Sequence, residues 1–264
     1  MAHRLSGKII LITGASSGIG RATAIEFARQ CPSELKLILT ARRVDKLKEL
    51  KSELETHHKG IQVHALGLDV SNAEQVRSFI GKLPPEYQKI NVLINNAGFV
   101  KGVEHVGDIV EQDMNDVLAT NVSGFINVTQ AVMKVFRANG NRGDFVQLGS
   151  IASRDGYAGG AVYCASKSAV RAFSEAMQKE TIHTRIRTMI IEPGQVETEF
   201  SVIRFRGDKA KADGVYAGTE PLTAEDIAEI IVFAVSRREN VVMANTLLFP
   251  SHQASATAVH RQTK

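Results

Sequence analysis

The sequence predicts an α/β fold in which helices cover both faces of a doubly wound sheet of about seven parallel strands. Short apolar runs alternate with longer amphipathic stretches along the whole chain. The apolar runs are nearly continuous, which is typical of strands buried on both faces. The composition, 44% hydrophobic and 23% charged over 264 residues, is that of a globular protein with one substantial core.

The strand candidates are the short apolar runs, at 9–13, 37–40, 63–66, 92–94, 145–148, 188–191 and 246–249. The helix candidates are the amphipathic stretches around 19–30, 44–57, 72–82, 112–138, 161–181 and 223–236. The last of these begins at Thr223, with Asp226 in its first turn, which is typical of a helix N-cap.

No repeat or flexible linker divides the chain, so we expect a single catalytic domain over 1–264. Two regions depart from the alternation. Residues 200–222 are charged and contain glycine, and a long excursion of this kind in a compact domain indicates a substrate lid. Residues 251–264 show no periodicity and are expected to form a loose C-terminal tail.

Composition argues against several classes of protein. The longest apolar runs fall short of the roughly 20 residues that cross a bilayer, so no membrane-spanning helix is expected. The N-terminus lacks the apolar stretch of a signal peptide, and there are only two cysteines, which suits the cytoplasm. The 32 basic and 28 acidic residues give a charge of +4 without a dense basic run, so no nucleic-acid partner is expected.

A glycine-rich turn follows the first predicted strand and opens the first predicted helix. Glycines at this point permit a tight turn and a close approach of the backbone to a pyrophosphate, and the helix N-terminus offers amide donors to that anion. The placement indicates a Rossmann-like dinucleotide site. Its candidate residues are Gly14, Ser16, Ser17, Gly18, Ile19 and Gly20.

The end of the second strand indicates which dinucleotide is bound. An NAD-selective site carries an acidic residue there, whereas this strand ends in Thr40 followed by Arg42 and Arg43. Guanidinium groups match the charge and geometry of a 2′-phosphate, so NADP is the predicted cofactor, with a merely solvated helix start as the alternative. Asp69 and Val70, after the third strand, either cap the next helix or contact the adenine.

Tyr163 and Lys167 are candidates for acid–base chemistry. They stand four residues apart and therefore share a face of the predicted helix. A phenol near its reference pKa of about 10 is a poor base at neutral pH, and a nearby cation favours its ionised form. Ser150 ends the fifth strand, where its hydroxyl could bind a substrate oxygen.

Ordered along the chain, these motifs resemble those of the short-chain dehydrogenase/reductase family. The matching segments are Thr13–Gly20, Asn95–Gly98, Asn121 within Asn-Val-Ser-Gly, Ser150 with Tyr163 and Lys167, and Pro193–Gly194 with Val196 and Thr198. Residues 149–155, 192–200 and 249–250 further resemble the NADP-dependent 3-hydroxy acid dehydrogenases that also oxidise serine.

The resemblance implies a role for each matching residue. Tyr163 would exchange the proton of the substrate hydroxyl, Ser150 would hold its oxygen, and Lys167 would lower the tyrosine pKa and bind the nicotinamide ribose. Asn121 would support a proton relay. The remaining cofactor contacts would be Asn96, Ala97, Gly98, Pro193, Gly194, Val196 and Thr198. The family also implies a homotetramer or dimer built on the helices at 112–138 and 161–181.

Several alternatives stay open at this stage. Arg154, Arg204 and Arg206 could each bind a substrate carboxylate, or could be ordinary surface residues. A broad carbonyl or 3-oxoacyl reductase is the alternative enzyme, and a non-catalytic NADP(H)-binding regulator is the alternative of another class. Cys164 is expected to pack rather than react, and the histidines show no spacing typical of a metal site.

Overall fold

The fold is described from a computed structural model, which covers residues 2–262. Its sheet contains seven parallel strands. They are β1 (Ile9–Thr13), β2 (Ser33–Ala41), β3 (Gly60–Gly67), β4 (Val92–Asn95), β5 (Arg142–Leu148), β6 (Arg185–Pro193) and β7 (Asn245–Leu248). Several are longer than predicted, because polar residues at their ends also pair while the apolar run marks only the buried centre.

The strand order is β3-β2-β1-β4-β5-β6-β7. The chain first builds outwards from β1 to β3 and then returns to pair β4 with the other side of β1. In doubly wound sheets, the connections diverge at such a reversal and leave a crevice beyond the carboxyl ends of the strands. The predicted fold class is confirmed, and the reversal places the crevice between β1 and β4.

Helices cover both faces of the sheet. They are α1 (Gly18–Gln30), α2 (Val44–His57), α3 (Ala73–Ser78), α4 (Glu111–Leu118), α5 (Phe125–Ala138), α6 (Ala161–Glu180), α7 (Phe200–Arg204), α8 (Lys209–Gly214) and α9 (Ala224–Val235). Alternate residues of one strand enter different layers: Ile10 and Ile12 of β1 pack with α1, α2 and α9, and Leu11 packs with α3 and α5. The central strands β1, β4, β5 and β6 are therefore buried on both faces, as predicted, whereas the edge strands β3 and β7 are partly exposed.

Two predicted helices differ from the structure. The stretch 72–82 forms only α3, followed by a 3₁₀ turn at Ile80–Lys82. The stretch 112–138 is divided into α4 and α5 by a π-helical turn at Ala119–Gly124. Such turns insert an extra residue and are frequent at functional sites. The N-cap at Thr223 is confirmed, since its hydroxyl and the Asp226 carboxylate form a reciprocal capping box.

The two irregular regions are ordered by specific contacts. The segment 200–222 contains α7 and α8 and lies beside the crevice. The tail is not loose over 251–262: Arg261 donates to the carbonyl of Val215 at 3.0 Å, and the amide of Ala256 donates to Asp155 at 2.8 Å. Residues 263–264 of the predicted tail lie outside the described part. No helix among residues 2–262 is both long and apolar enough to span a membrane.

A buried ion pair joins β5 to β6. The guanidinium of Arg187 donates to both carboxylate oxygens of Asp144, at 2.6 and 2.8 Å. Arg187 also donates to the carbonyls of Val235 and Val241, at 3.0 and 2.8 Å. Both charged side chains are almost fully buried, so removal of one partner leaves an uncompensated charge in the core.

We expect Asp144→Asn to lower the free energy of unfolding by about 3 kcal/mol, because Arg187 would remain charged and buried without its carboxylate. Urea denaturation of both proteins gives this difference directly. Arg142→Gln is the matched control on the same strand: its ion pair with Glu239 is exposed, and its loss should cost less than about 1 kcal/mol. Equal losses in the two variants would contradict the assigned role of the buried pair.

Candidate active site and dinucleotide cleft

The glycine turn between β1 and α1 is shaped by close backbone contacts. Gly14 and Gly18 have φ values of +66° and +51°, which glycine adopts without strain. A Cβ on Gly20 would lie 2.5 Å from the carbonyl oxygen of Gly14. Larger residues are therefore excluded, and the turn leaves the first amides of α1 accessible to an anion.

Arg43, just beyond β2, reaches back to this turn. Its guanidinium donates to the hydroxyls of Ser17 and Ser16, at 2.6 and 3.2 Å, and to the carboxylate of Glu199, at 3.0 Å. Arg42 is also exposed. The structure thus places the Arg43 guanidinium beside the glycine turn, as a 2′-phosphate site requires.

The carboxyl ends of β1 and β4 are joined by side-chain hydrogen bonds. The Thr13 hydroxyl accepts from the amides of Asn96 and Ala97, both at 3.0 Å. The Asn96 amide group donates to the carbonyl of Thr13 at 2.9 Å. These bonds hold the segment that ends at Gly98 against the glycine turn and fix one wall of the crevice.

Asn121 lies in the π-helical turn and is almost fully buried. Its carbonyl oxygen accepts from the amide of Phe99 at 3.0 Å, and its amide group donates to the carbonyl of Phe99 at 2.8 Å. It also donates to the hydroxyl of Ser166 at 3.2 Å. Asn121 therefore fastens the loop after β4 to α6, and these bonds occupy its side-chain amide.

Ser150, Tyr163 and Lys167 meet at the crevice. Tyr163 and Lys167 lie one turn apart on α6, with the ammonium 5.8 Å from the centre of the phenol ring. Lys167 donates to the carbonyl of Leu148 at 2.7 Å, which ties α6 to the end of β5. Ser150 stands two residues beyond that strand end, and its hydroxyl lowers the pKa of Tyr163.

Burial dominates the electrostatics of this pair. Desolvation raises the pKa of Tyr163 well above its ordinary value, the nearby Tyr157 adds to the rise, and the nearby Ser150 hydroxyl opposes it. Desolvation also lowers the pKa of Lys167 to about 8. The expected lowering of the tyrosine pKa by Lys167 is not found in this structure, because the phenol is buried and the ammonium is bound to Leu148.

These residues line a cleft of about 530 Å³, a typical size for a ligand site. Most of the predicted site residues line it: Gly14, Ser17, Gly18, Ile19, Asn96, Ala97, Gly98, Ser150, Tyr163, Lys167, Pro193, Gly194, Val196 and Thr198. The other predicted residues are not part of its lining; they are Ser16, Gly20, Thr40, Arg42, Arg43, Asp69, Val70 and Asn121.

Two of these remaining positions have structural explanations. Thr40 is buried, and its hydroxyl donates to the carbonyl of Ile12 at 3.3 Å, so its side chain is committed to the sheet. Asp69 does not cap α3, as one alternative proposed: it accepts from the amide and hydroxyl of Ser71, and Asn72 is the cap. The adenine alternative for Asp69 and Val70 stays a prediction.

Sequence reasoning missed part of the lining. Tyr157, Gln195, Tyr216, Gln253, Ala256 and Thr257 all face the cleft. Gln253 is buried, and its side-chain oxygen accepts from the amide of Gln195 at 2.8 Å. None of these positions stands in a periodic or spaced pattern, because the tail and the segment after β6 become neighbours only in the folded chain.

The three candidate arginines have different surroundings. Arg154 donates from Nε to Glu192 at 2.7 Å, and Arg206 pairs with Glu104 and Asp113, both at 2.8 Å. Both are neutralised by carboxylates, so neither is suited to bind a substrate carboxylate. Arg204 lines the cleft, and its buried Nε has no hydrogen-bond partner among residues 2–262.

The structure also bears on the cysteines and on the residue types that bind metals. Cys164 packs with Val100, Ala152 and Tyr163 in a small apolar cluster, which confirms the structural interpretation. Neither cysteine forms a disulfide. Among the described residues, no group of three or more histidine, cysteine or acidic side chains could hold a metal ion.

The site fits a phosphorylated dinucleotide. A Cβ on Gly14 or Gly20 would fill the space beside the turn, and Arg43 supplies charge-assisted donors next to it. Pro193, Gly194, Gln195, Val196 and Thr198 line the same cleft as Tyr163 and Lys167. The cleft therefore combines an anion-binding end with an end that carries the acid–base residues.

Comparisons with known proteins agree with this geometry. A family model described as short chain dehydrogenase matches residues 8–207. An NADP-dependent 3-hydroxy acid dehydrogenase of Schizosaccharomyces pombe is 52% identical, and the match covers 98% of each chain. Sulfoacetaldehyde reductase 2 of Chromohalobacter salexigens is 38% identical over 96% of this chain and 98% of that protein. The closed form of a serine dehydrogenase complexed with NADP+ superposes with a TM-score of 0.87 at 35% identity, covering 96% and 99% of the two chains.

We expect Lys167→Met to stabilise the ligand-free protein at pH 7 by about 1–3 kcal/mol. Because the folded-state pKa is lowered to about 8, folding at neutral pH must bury a charged amine. Between about pH 8 and 10.4, only the unfolded chain keeps the proton of this amine. The wild type therefore gains stability as the pH rises, and the stability difference between Lys167→Met and the wild type should narrow. Urea denaturation between pH 7 and 10.5 measures it.

Lys179→Met, at an exposed position on the same helix, controls for the loss of a surface lysine. A Lys167→Met protein that is less stable than the wild type at pH 7, or a difference that does not change with pH, would contradict the assignment of burial as the dominant effect.

Proposed function

Since the chain belongs to the short chain dehydrogenase family, we propose that it is an NADP(H)-dependent oxidoreductase that acts on small 3-hydroxy acids, serine included. The observation that carries the proposal is the meeting of Ser150, Tyr163 and Lys167 at one end of the dinucleotide cleft. The relatives that act on 3-hydroxy acids and on serine support the substrate class.

The protein residues handle the proton and the orientation of the substrate. NADP(H), when bound, supplies or accepts the hydride. Tyr163, held in its protonated form by burial, donates a proton to the carbonyl oxygen during reduction, and its phenolate would accept the proton of the hydroxyl during oxidation. Ser150 donates a hydrogen bond to that oxygen. Lys167 lines the cleft, with its ammonium 5.8 Å from the centre of the Tyr163 ring, and would bind the nicotinamide ribose.

The choice of NADP rests on the surroundings of the glycine turn. Arg43 presents donors beside Ser16 and Ser17, and no acidic residue ends β2. A guanidinium attracts a 2′-phosphate, whereas a ribose 2′-hydroxyl offers it little. Arg42, exposed next to it, adds positive charge.

Arg204 supports an acidic substrate. Its guanidinium lies 5.2 Å from the centre of the Tyr157 ring and donates to the carbonyl of Gly159 at 3.3 Å. Neither contact neutralises its charge, and no carboxylate of the described residues forms an ion pair with it. A substrate carboxylate would supply both the missing charge and the missing partner of Nε.

The proposal extends to a lid, a cellular location and an oligomeric state. Residues 200–222 would act as the lid, since α7 carries Phe200, whose ring lies 5.4 Å from that of Tyr163. Two buried, unpaired cysteines support a cytoplasmic location. A homotetramer is proposed from the family resemblance, with a dimer as the alternative.

The proposal predicts turnover of NADP+ with a panel of 3-hydroxy acids, and its loss in Tyr163→Phe. That substitution removes the ionisable oxygen, so turnover should fall at least about 100-fold while NADPH binding is retained. Absorbance at the nicotinamide band measures turnover, and fluorescence titration measures binding. Tyr87→Phe, in a separate apolar cluster, should keep full activity.

The outcomes separate the alternatives. Preference for simple aldehydes over every acid would favour the broad carbonyl reductase. NADPH binding by the wild type without turnover of any substrate would favour the regulator. Near-normal turnover by Tyr163→Phe would remove Tyr163 from the mechanism.

Arg204→Gln should raise the KM for 3-hydroxybutyrate about 100-fold and that for its methyl ester only slightly, because only the acid loses a charge-assisted contact. Steady-state kinetics with both substrates test this. The ester controls for general damage to the cleft, and Arg206→Gln, on the same segment but already paired, should affect acid and ester alike. Equal losses for acid and ester in Arg204→Gln would contradict the carboxylate site.

A further inference from the structure

Arg43 carries a carboxylate partner from a distant part of the chain. Glu199 immediately precedes α7. Its carboxylate accepts at 3.0 Å from Nη2 of Arg43, the same atom that donates to the hydroxyl of Ser17. The pair therefore connects the glycine turn to the residue that immediately precedes the lid. Glu199 itself lines the cleft.

From this geometry we propose that Glu199 is an internal competitor of the cofactor 2′-phosphate for Arg43, and that it helps to determine the response to NADP and NAD. The inference rests on the proposed function, because it requires Arg43 to bind the 2′-phosphate. Binding of that phosphate exchanges one anion for another on a single guanidinium. A dinucleotide without the 2′-phosphate leaves the Arg43–Glu199 pair in place.

The charges favour this exchange. A phosphate monoester carries about −1.5 to −2 charges near neutral pH and three acceptor oxygens, against one charge on Glu199. The side chains of Arg43 and Glu199 are 47% and 57% exposed, so their ion pair is weak and is readily broken by a stronger anion. Once the phosphate is bound, it also repels the neighbouring Glu199 carboxylate.

The exchange has a consequence for the lid. Glu199 is followed directly by Phe200, which contacts Tyr163, and α7 ends at Arg204. The hydroxyl of Ser201 is bonded to Tyr216 at 2.6 Å, so the rest of the lid keeps its own attachment. Release of Glu199 therefore loosens the first turn of α7 rather than the whole segment.

Glu199→Gln tests the competition without catalysis. Calorimetric binding of 2′,5′-ADP and of 5′-AMP compares two ligands that differ only in the 2′-phosphate. We expect the variant to bind 2′,5′-ADP about two- to fivefold more tightly than the wild type, and 5′-AMP with unchanged affinity. Glu197→Gln, an exposed acid two residues earlier, is the matched control and should change neither affinity.

The results separate this inference from the proposed function. If the wild type prefers 2′,5′-ADP over 5′-AMP, and Glu199→Gln binds both ligands with wild-type affinity or binds 2′,5′-ADP more weakly, the competition is overturned. If the wild type shows no preference for 2′,5′-ADP, the NADP assignment itself fails, and the competition fails with it.

Hydrogen exchange supplies an independent readout. In the wild type, 2′,5′-ADP should speed deuterium uptake by the amides of residues 199–204, whereas 5′-AMP should leave it unchanged. Glu199→Gln should show the faster uptake before any ligand is added. Slower uptake with 2′,5′-ADP would mean that Glu199 stays on Arg43 beside the phosphate, and would overturn the exchange.

Discussion

The reversal of strand order between β1 and β4 is the constraint on which the rest of the structure depends. All seven strands are parallel, so their carboxyl ends share one edge of the sheet. Because the connections leave β1 and β4 in opposite directions, a crevice opens at that edge. The glycine turn follows β1, Asn96 follows β4 and Ser150 follows β5. Residues far apart in sequence are thereby gathered at one edge of the sheet.

The end of this crevice that holds Tyr163 and Lys167 is unfavourable for the stability of the fold. Burial disfavours the charged forms of both Tyr163 and Lys167, and the ammonium is held in place by the carbonyl of Leu148. A nonpolar pair would pack there at lower cost. Functional sites commonly retain such unfavourable groups, because a proton donor and a cation must stand where water is excluded.

Pairing decides what each arginine does. Arg187 forms an ion pair with Asp144 in the core, and Arg154 and Arg206 form ion pairs with carboxylates around the cleft. Arg204 keeps a buried Nε without a hydrogen-bond partner, and the carboxylate partner of Arg43, Glu199, is exposed. Whether an arginine can bind a ligand therefore depends on which carboxylates of other elements lie next to it. The presence of an arginine in the sequence does not indicate this.

The sequence by itself determined the parallel α/β architecture, the glycine turn and the helix face shared by Tyr163 and Lys167, because these depend on local periodicity and spacing. It also indicated Arg43 through the missing acid after β2. Only the tertiary structure decided that Asn121 lies in a π-helical turn, that Gln253 and Thr257 of the tail line the cleft, and that Arg204, of the three candidate arginines, keeps an unsatisfied buried donor. The physical reason is that burial and ion pairing depend on contacts between distant segments, which leave no periodic signal along the chain.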